Sequence, residues 1–224
     1  MMAFRMVRGG YQARANVEER TMLASLARDV VLLLGSDVEH EAERRAQEFD
    51  PDDPLAALEA DVADIAETIA AENEPIPDLP IDLAIDRLLP DMSEDPEEAA
   101  TLRDLTENSI AAAKIENLVT FYQDLEAVPD GEDAIILANE QTPAWMAALN
   151  DIRLVLADRL DINDDATATT VFERAGMFTG TRSRETENLP EIESPDDMLA
   201  VLYTMTTWWL DSLVTAVRNK ALRG

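Results

Sequence analysis

A short apolar run followed at once by an amphipathic helix, residues Ala134 to Ile162, constrains the fold more than any other stretch of this chain. Ala134 to Leu137 is too brief for a helix and holds two isoleucines, so it reads as a buried strand. Thr142 offers a hydroxyl N-cap, and Pro143 suits the first helical position, where no amide bond is lost. Trp145, Leu149, Ile152, Leu156 and Leu160 then recur at steps of four, three, four and four, with Met146 widening the stripe. Beside it stand Asn150, Asp151 and Arg153. Two readings of these are open: polar groups that cover the helix edge and bond to neighbouring chain, or a partner-contacting or switch site.

A hairpin precedes that stretch by more than a hundred residues. Phe4 to Val7 and Tyr11 to Ala15 flank Arg8-Gly9-Gly10, where glycine allows the positive φ of a tight turn. A lone hairpin is marginal in water, so the two strand regions are expected to join as a three-stranded antiparallel sheet. Asn16 caps a helix with Leu23, Leu26, Val30 and Leu33 on one face, and Gly35 stops it. A charged helix follows from Asp37 to Phe49. It carries His40, which reads as a surface residue rather than a metal ligand, since a zinc site draws on several such side chains.

Pro54 to Ala71 patterns as a helix with Leu55, Leu58, Val62, Ile65 and Ile69 inward and acids outward. Residues 73–80 hold three prolines and form an extended connector, a candidate subdomain hinge. A short helix from Ile81 ends at Pro90, and a long one from Asp95-Pro96 runs towards Val128. Its apolar stripe changes phase near Asn108-Ser109, which predicts a bend or a change of face. Lys114 sits alone in it and reads as exposed or salt-bridged.

After Ile162, a capped short helix leads into a loop over residues 176–194, a candidate mobile loop that contains Arg182 and Arg184. Ser194-Pro195 then starts the last helix. Its Met198–Val217 segment is about long enough to span a bilayer. Threonines and Asp211 dilute it, and Leu199, Leu202, Met205, Trp209, Leu213 and Ala216 make a stripe, so a bundle helix is the better account. Trp208 must point away from that stripe. The whole chain, 1–224, is therefore read as a single domain: mainly α (α+β), a helical bundle with a small antiparallel sheet.

Charge limits what such a domain can bind. The 47 acids against 18 bases give −29, a field that repels phosphate and favours basic partners. Cysteine is absent, so thiolate chemistry and disulfides are excluded. No apolar signal segment opens the sequence, and the cytoplasm is the expected location.

DRLLPD (Asp86 to Asp91), EEAATLRDLTENSIAAAK (Glu97 to Lys114), WMAALNDIRLVLADRLDI (Trp145 to Ile162), VLYTMTTWWLDSLV and the FRMVRGGYQ start together resemble the actinobacterial AosR-like family, long catalogued as a domain of unknown function. The most specific piece is Leu149 to Leu154, with Arg159 further on. That resemblance implies a cytoplasmic protein of oxidative-stress regulation that acts on transcription through protein contacts. A thiol-based sensor needs cysteine, and this chain has none. Its methionines follow the core pattern and mark no particular sensor.

Three function classes follow. A non-enzymatic regulatory protein with a basic-faced protein partner, of the transcription machinery on the resemblance, accounts for charge and sequence alike. It would bind no nucleic acid directly, use no cofactor or metal, and could form a homodimer. Its candidate partner or network residues are Trp145, Asn150, Asp151, Arg153, Arg159, Arg182, Arg184 and Trp208. The alternatives are an enzyme with a carboxylate-based site, though no nucleophile–base or metal constellation stands out, and a membrane-associated helical protein.

Overall fold

The computed structural model describes residues 1–48, 83–93, 95–176 and 192–222. The expected helix over 54–71, the connector at 73–80 and nearly all of the 176–194 loop lie outside the described residues. Within them the protein is mainly helical with one three-stranded antiparallel sheet.

The sheet consists of β1 (Met2–Val7), β2 (Gly10–Arg14) and β3 (Ala134–Ala138), in the order β1-β2-β3. Gly9 takes a φ of 88° in the turn between β1 and β2. Gly10 is needed for a different reason: a Cβ there would lie 2.0 Å from the Leu137 carbonyl oxygen of β3. β2 and β3 pair from Gly10 opposite Ala138 to Arg14 opposite Ala134. The expected burial of β3 holds on one face only. Ile135 and Leu137 face the core, while Ile136 is 64% exposed, because nothing among the described residues covers the outer face of the sheet there.

The first helix, α1 (Val17–Leu33), begins with a capping box in which the Asn16 side chain accepts from the Glu19 amide and the Glu19 carboxylate accepts from the Asn16 amide. Gly35, at φ 85°, ends it, and the Ser36 amide closes back on the Val31 carbonyl. α2 (Val38–Glu48) and the short α3 (Ala84–Leu88) follow. α4 (Pro96–Glu126) is an unbroken helix capped by Asp95. Its phase shift appears as a change of face rather than a break: Leu105 is exposed, whereas Leu118, Phe121 and Leu125 are buried.

α5 (Thr142–Arg159) opens differently from the expectation. Its N-cap is Gln141 in helical conformation, and no side-chain cap is made. The Thr142 hydroxyl instead donates back to the Ala138 carbonyl at 3.0 Å, because the strand runs so directly into the helix that this group is the nearer acceptor. α6 (Asp165–Arg174) starts on a capping box between Asp164 and Thr167, and α7 (Pro195–Ala221) on Ser194.

α4 packs between α1 and α5, α5 packs on α7, and α7 lies against β1. Where these meet, Phe4, Phe121, Trp145 and Trp209 form one aromatic cluster. Trp145 sits 4.6 Å from Phe121, 5.7 Å from Trp209 and 6.0 Å from Phe4, ring centre to ring centre. Edge-on arrangements of this kind add about 0.5–1.5 kcal/mol per pair beyond the area they bury.

Candidate functional site

The residues singled out along α5 divide between core and surface. Trp145 is fully buried, and its indole N–H donates to Asp124 Oδ2 of α4 at 2.7 Å. The other oxygen of Asp124 accepts from Gln141 Nε2 at 2.8 Å. Gln141 in turn accepts from the Ala138 amide, so one chain of bonds ties the end of β3 to α4 and α5. Burial pushes the Asp124 carboxyl above the ordinary aspartate value, against the two hydrogen bonds that favour its charged form.

Asp151 is 2% exposed. Its Oδ1 lies 2.6 Å from Lys114 Nζ on α4, and its Oδ2 is buried without a partner. Burial again raises the carboxyl, with the Lys114 ammonium opposing it. The solitary lysine of α4 is thus salt-bridged. On one of the two readings above, Asn150 and Arg153 bond to neighbouring chain. They bond to each other instead, Arg153 Nη2 donating to Asn150 Oδ1 at 3.0 Å on the same helix. Their spacing of three residues puts them side by side on one face, and it is Asp151, one position round, that faces α4.

Arg159 is exposed at the end of α5. Trp208 is 37% exposed, next to the fully buried Trp209, whose indole N–H donates to the Met2 carbonyl at 3.2 Å. Arg182 and Arg184 lie outside the described residues. The eight candidates therefore do not converge: Trp145 and Asp151 bind the core together, and the others described sit on or near the surface. Sequence reasoning missed Asp124 and the pairing of Lys114 with Asp151. Each pair joins two separate helices, which spacing along one helix cannot reveal.

Other features show what the arrangement offers chemically. Among the described residues no group of three or more histidine, aspartate or glutamate side chains is placed to hold a metal ion, and His40 is exposed. An open groove of about 1070 Å³ lies between the end of α1, α2 and α4, walled by Leu34, Ala112 and Ile115 and edged by Arg44, Arg45 and Glu116. No described helix is long and apolar enough to cross a membrane.

A family model, the domain of unknown function DUF2017, matches residues 1–217. The chain belongs to that family. Comparison with curated proteins and with solved structures gave no match. The match takes in the first nine described elements of this DUF2017 member and α7 as far as residue 217, so the sheet, the aromatic cluster and the Lys114–Asp151 pair all fall inside the family domain.

Proposed function

We propose that this DUF2017 member is a non-enzymatic regulatory protein that works by binding a basic-faced protein partner and does not bind DNA by itself. The observation that carries the reading is where the charge resides. Buried Asp151 and half-buried Lys114 and Asp124 are engaged across the α4–α5 contact, while acids such as Asp130, Glu132, Asp133 and Glu140 stand exposed on a chain of net charge −29. A lysine- or arginine-rich face is drawn to such a surface, and its on-rate rises. Trp208 is of the residue type that anchors interfaces. The resemblance to the AosR-like family supports a cytoplasmic role in transcriptional or stress regulation, with the partner in the transcription machinery.

Salt separates this reading from a surface that is acidic for solubility alone. Capture of the partner by the purified chain is expected to fall as salt rises from about 0.05 to 0.5 M, because the screening length shortens from about 10 Å at 0.1 M to about 3 Å at 1 M. A gel shift with random duplex DNA at low salt is expected to show no retardation. Tight DNA binding, or capture indifferent to salt, overturns the proposal.

A further inference from the structure

The sheet has two edges, and among the described residues only one is covered. Along β1, the Phe4 amide donates to Ser212 Oγ of α7 at 3.2 Å, and Trp209 of the same helix donates to the Met2 carbonyl. β3, at the other side, has β2 as its one strand neighbour among the described residues. The Ala15 amide donates to the Asp133 carbonyl at 2.9 Å, which sets the phase of the ladder. Residues 135 and 137 exchange bonds with β2, and residues 134, 136 and 138 turn their N–H and C=O groups outward.

Ala138 agrees with that phase. Its outward N–H donates to Gln141 Oε1 at 3.1 Å, and its carbonyl accepts from the Thr142 hydroxyl. These two bonds close the edge at its far end. Among the described residues no group takes the outward N–H or C=O of Ala134 or Ile136. The Ile136 side chain stands 64% exposed beside them, opposite Gln12. Acids bracket this open segment: exposed Asp130, Glu132 and Asp133 before it and Glu140 after it. Asp133 leans on Arg14 at 4.0 Å, while Asp130, Glu132 and Glu140 make no ion pair with a described residue.

We propose that the free edge of β3 receives an extended, lysine- or arginine-rich segment of the protein partner as a fourth strand, bonded at Ala134 and Ile136. This rests on the reading that the partner is basic, and it says where that partner docks. Main-chain bonds supply affinity in such strand addition, and the alternate side chains supply selectivity. Here Ile136 offers apolar contact on the outer face, and the bracketing carboxylates attract the flanks of a basic strand. A second copy of the chain is disfavoured. Antiparallel self-pairing centred on Ile136 sets Glu132 of one copy opposite Glu140 of the other, four positions either side of the centre. Like charges directly opposite are destabilising.

Peptide binding by the full chain tests the proposal, read by fluorescence anisotropy. The probes are a short peptide alternating lysine and valine, its glutamate–valine counterpart, and two lysine–valine versions N-methylated on alternate residues in opposite phases. The lysine peptide is expected to bind and the glutamate peptide not to. One phase of N-methylation should weaken binding by at least about tenfold and the other leave it unchanged, because only alternate amides face the edge. The exposed double substitution E132Q/E140Q should weaken the lysine peptide severalfold. Equal binding of both N-methylated forms means attraction by charge alone, and it overturns edge docking while leaving the basic partner intact. No binding of the lysine peptide overturns edge docking as well, and the salt-dependent capture then decides separately whether a basic partner exists. If E132Q/E140Q dimerises while its affinity for the peptide is unchanged, the acids serve only to keep the edge from self-pairing, and the proposal falls.

Discussion

Replacing Lys114 with methionine isolates the buried ion pair that joins α4 to α5. Methionine keeps most of the aliphatic volume, so the change removes charge rather than packing. It leaves the Asp151 carboxylate 2% exposed, with Oδ2 already unpartnered and Oδ1 deprived of its ammonium at 2.6 Å. Breaking a buried pair from one side costs about 3–5 kcal/mol. The Lys114 side chain keeps 20% of its exposure, so water reaches the vacated end and the cost belongs at the lower limit, about 3 kcal/mol. At about 2–4 °C per kcal/mol for a chain of this size, the melting temperature should drop by roughly 6–12 °C.

Urea titrations at neutral pH and near about pH 5 provide the second readout. The folded-state value of Asp151 is already raised by burial, and losing Lys114 raises it further. A carboxyl raised in this way destabilises the fold fully at pH above its folded value. It is relieved as pH falls towards its unfolded value, because the native state takes up the proton first. The deficit of Lys114→Met should therefore shrink on acidification. The double variant Lys114→Met/Asp151→Leu should recover most of the stability, since an apolar pair of similar volume often matches or exceeds a buried ion pair. A loss below about 1 kcal/mol, or a double variant no better than the single, refutes the reasoning.

Three further outcomes are expected. Asp124→Leu orphans the Trp145 indole N–H and the Gln141 amide, and should cost about 1–3 kcal/mol in a urea melt followed by tryptophan fluorescence. Gly10→Ala forces a methyl against the Leu137 carbonyl, so a destabilisation of about 1–3 kcal/mol and faster amide exchange along β3 should follow. Asn150→Ala removes a bond made only to Arg153 on the same helix, and its thermal melt should lie within about 0.5 kcal/mol of the parent.

Local signals carried most of the fold into the sequence. Asn16, Asp95-Pro96 and Ser194-Pro195 each place a helix start, because a cap is satisfied by residues two or three positions away. The sheet was legible for a related reason: Arg8-Gly9-Gly10 turns one strand onto the next, and a run of isoleucines requires a strand partner. The exposure of Ile136 was not legible, since three consecutive apolar residues look the same whether a sheet is covered on one face or both. Nor was the Thr142 hydroxyl's return to Ala138, which depends on how tightly strand meets helix. In the candidate site, Asn150, Asp151 and Arg153 stood out because they are polar beside an apolar stripe. Which of them turns towards Lys114 is set by the packing of α4 on α5, and periodicity within α5 is blind to it.

The aromatic cluster has a consequence for the order of assembly. Phe4, Phe121, Trp145 and Trp209 come from β1, α4, α5 and α7, so the centre of the core draws on strands and helices separated by some two hundred positions. During synthesis, Phe4 and Trp145 can meet long before the Trp209 ring emerges, and until then β1 lacks the helix that covers its edge. Such remote pairings slow folding relative to bundles built from neighbours in sequence. A nascent chain of this protein therefore passes through a stage in which the outer side of β1 and the α7-facing side of α5 are both open.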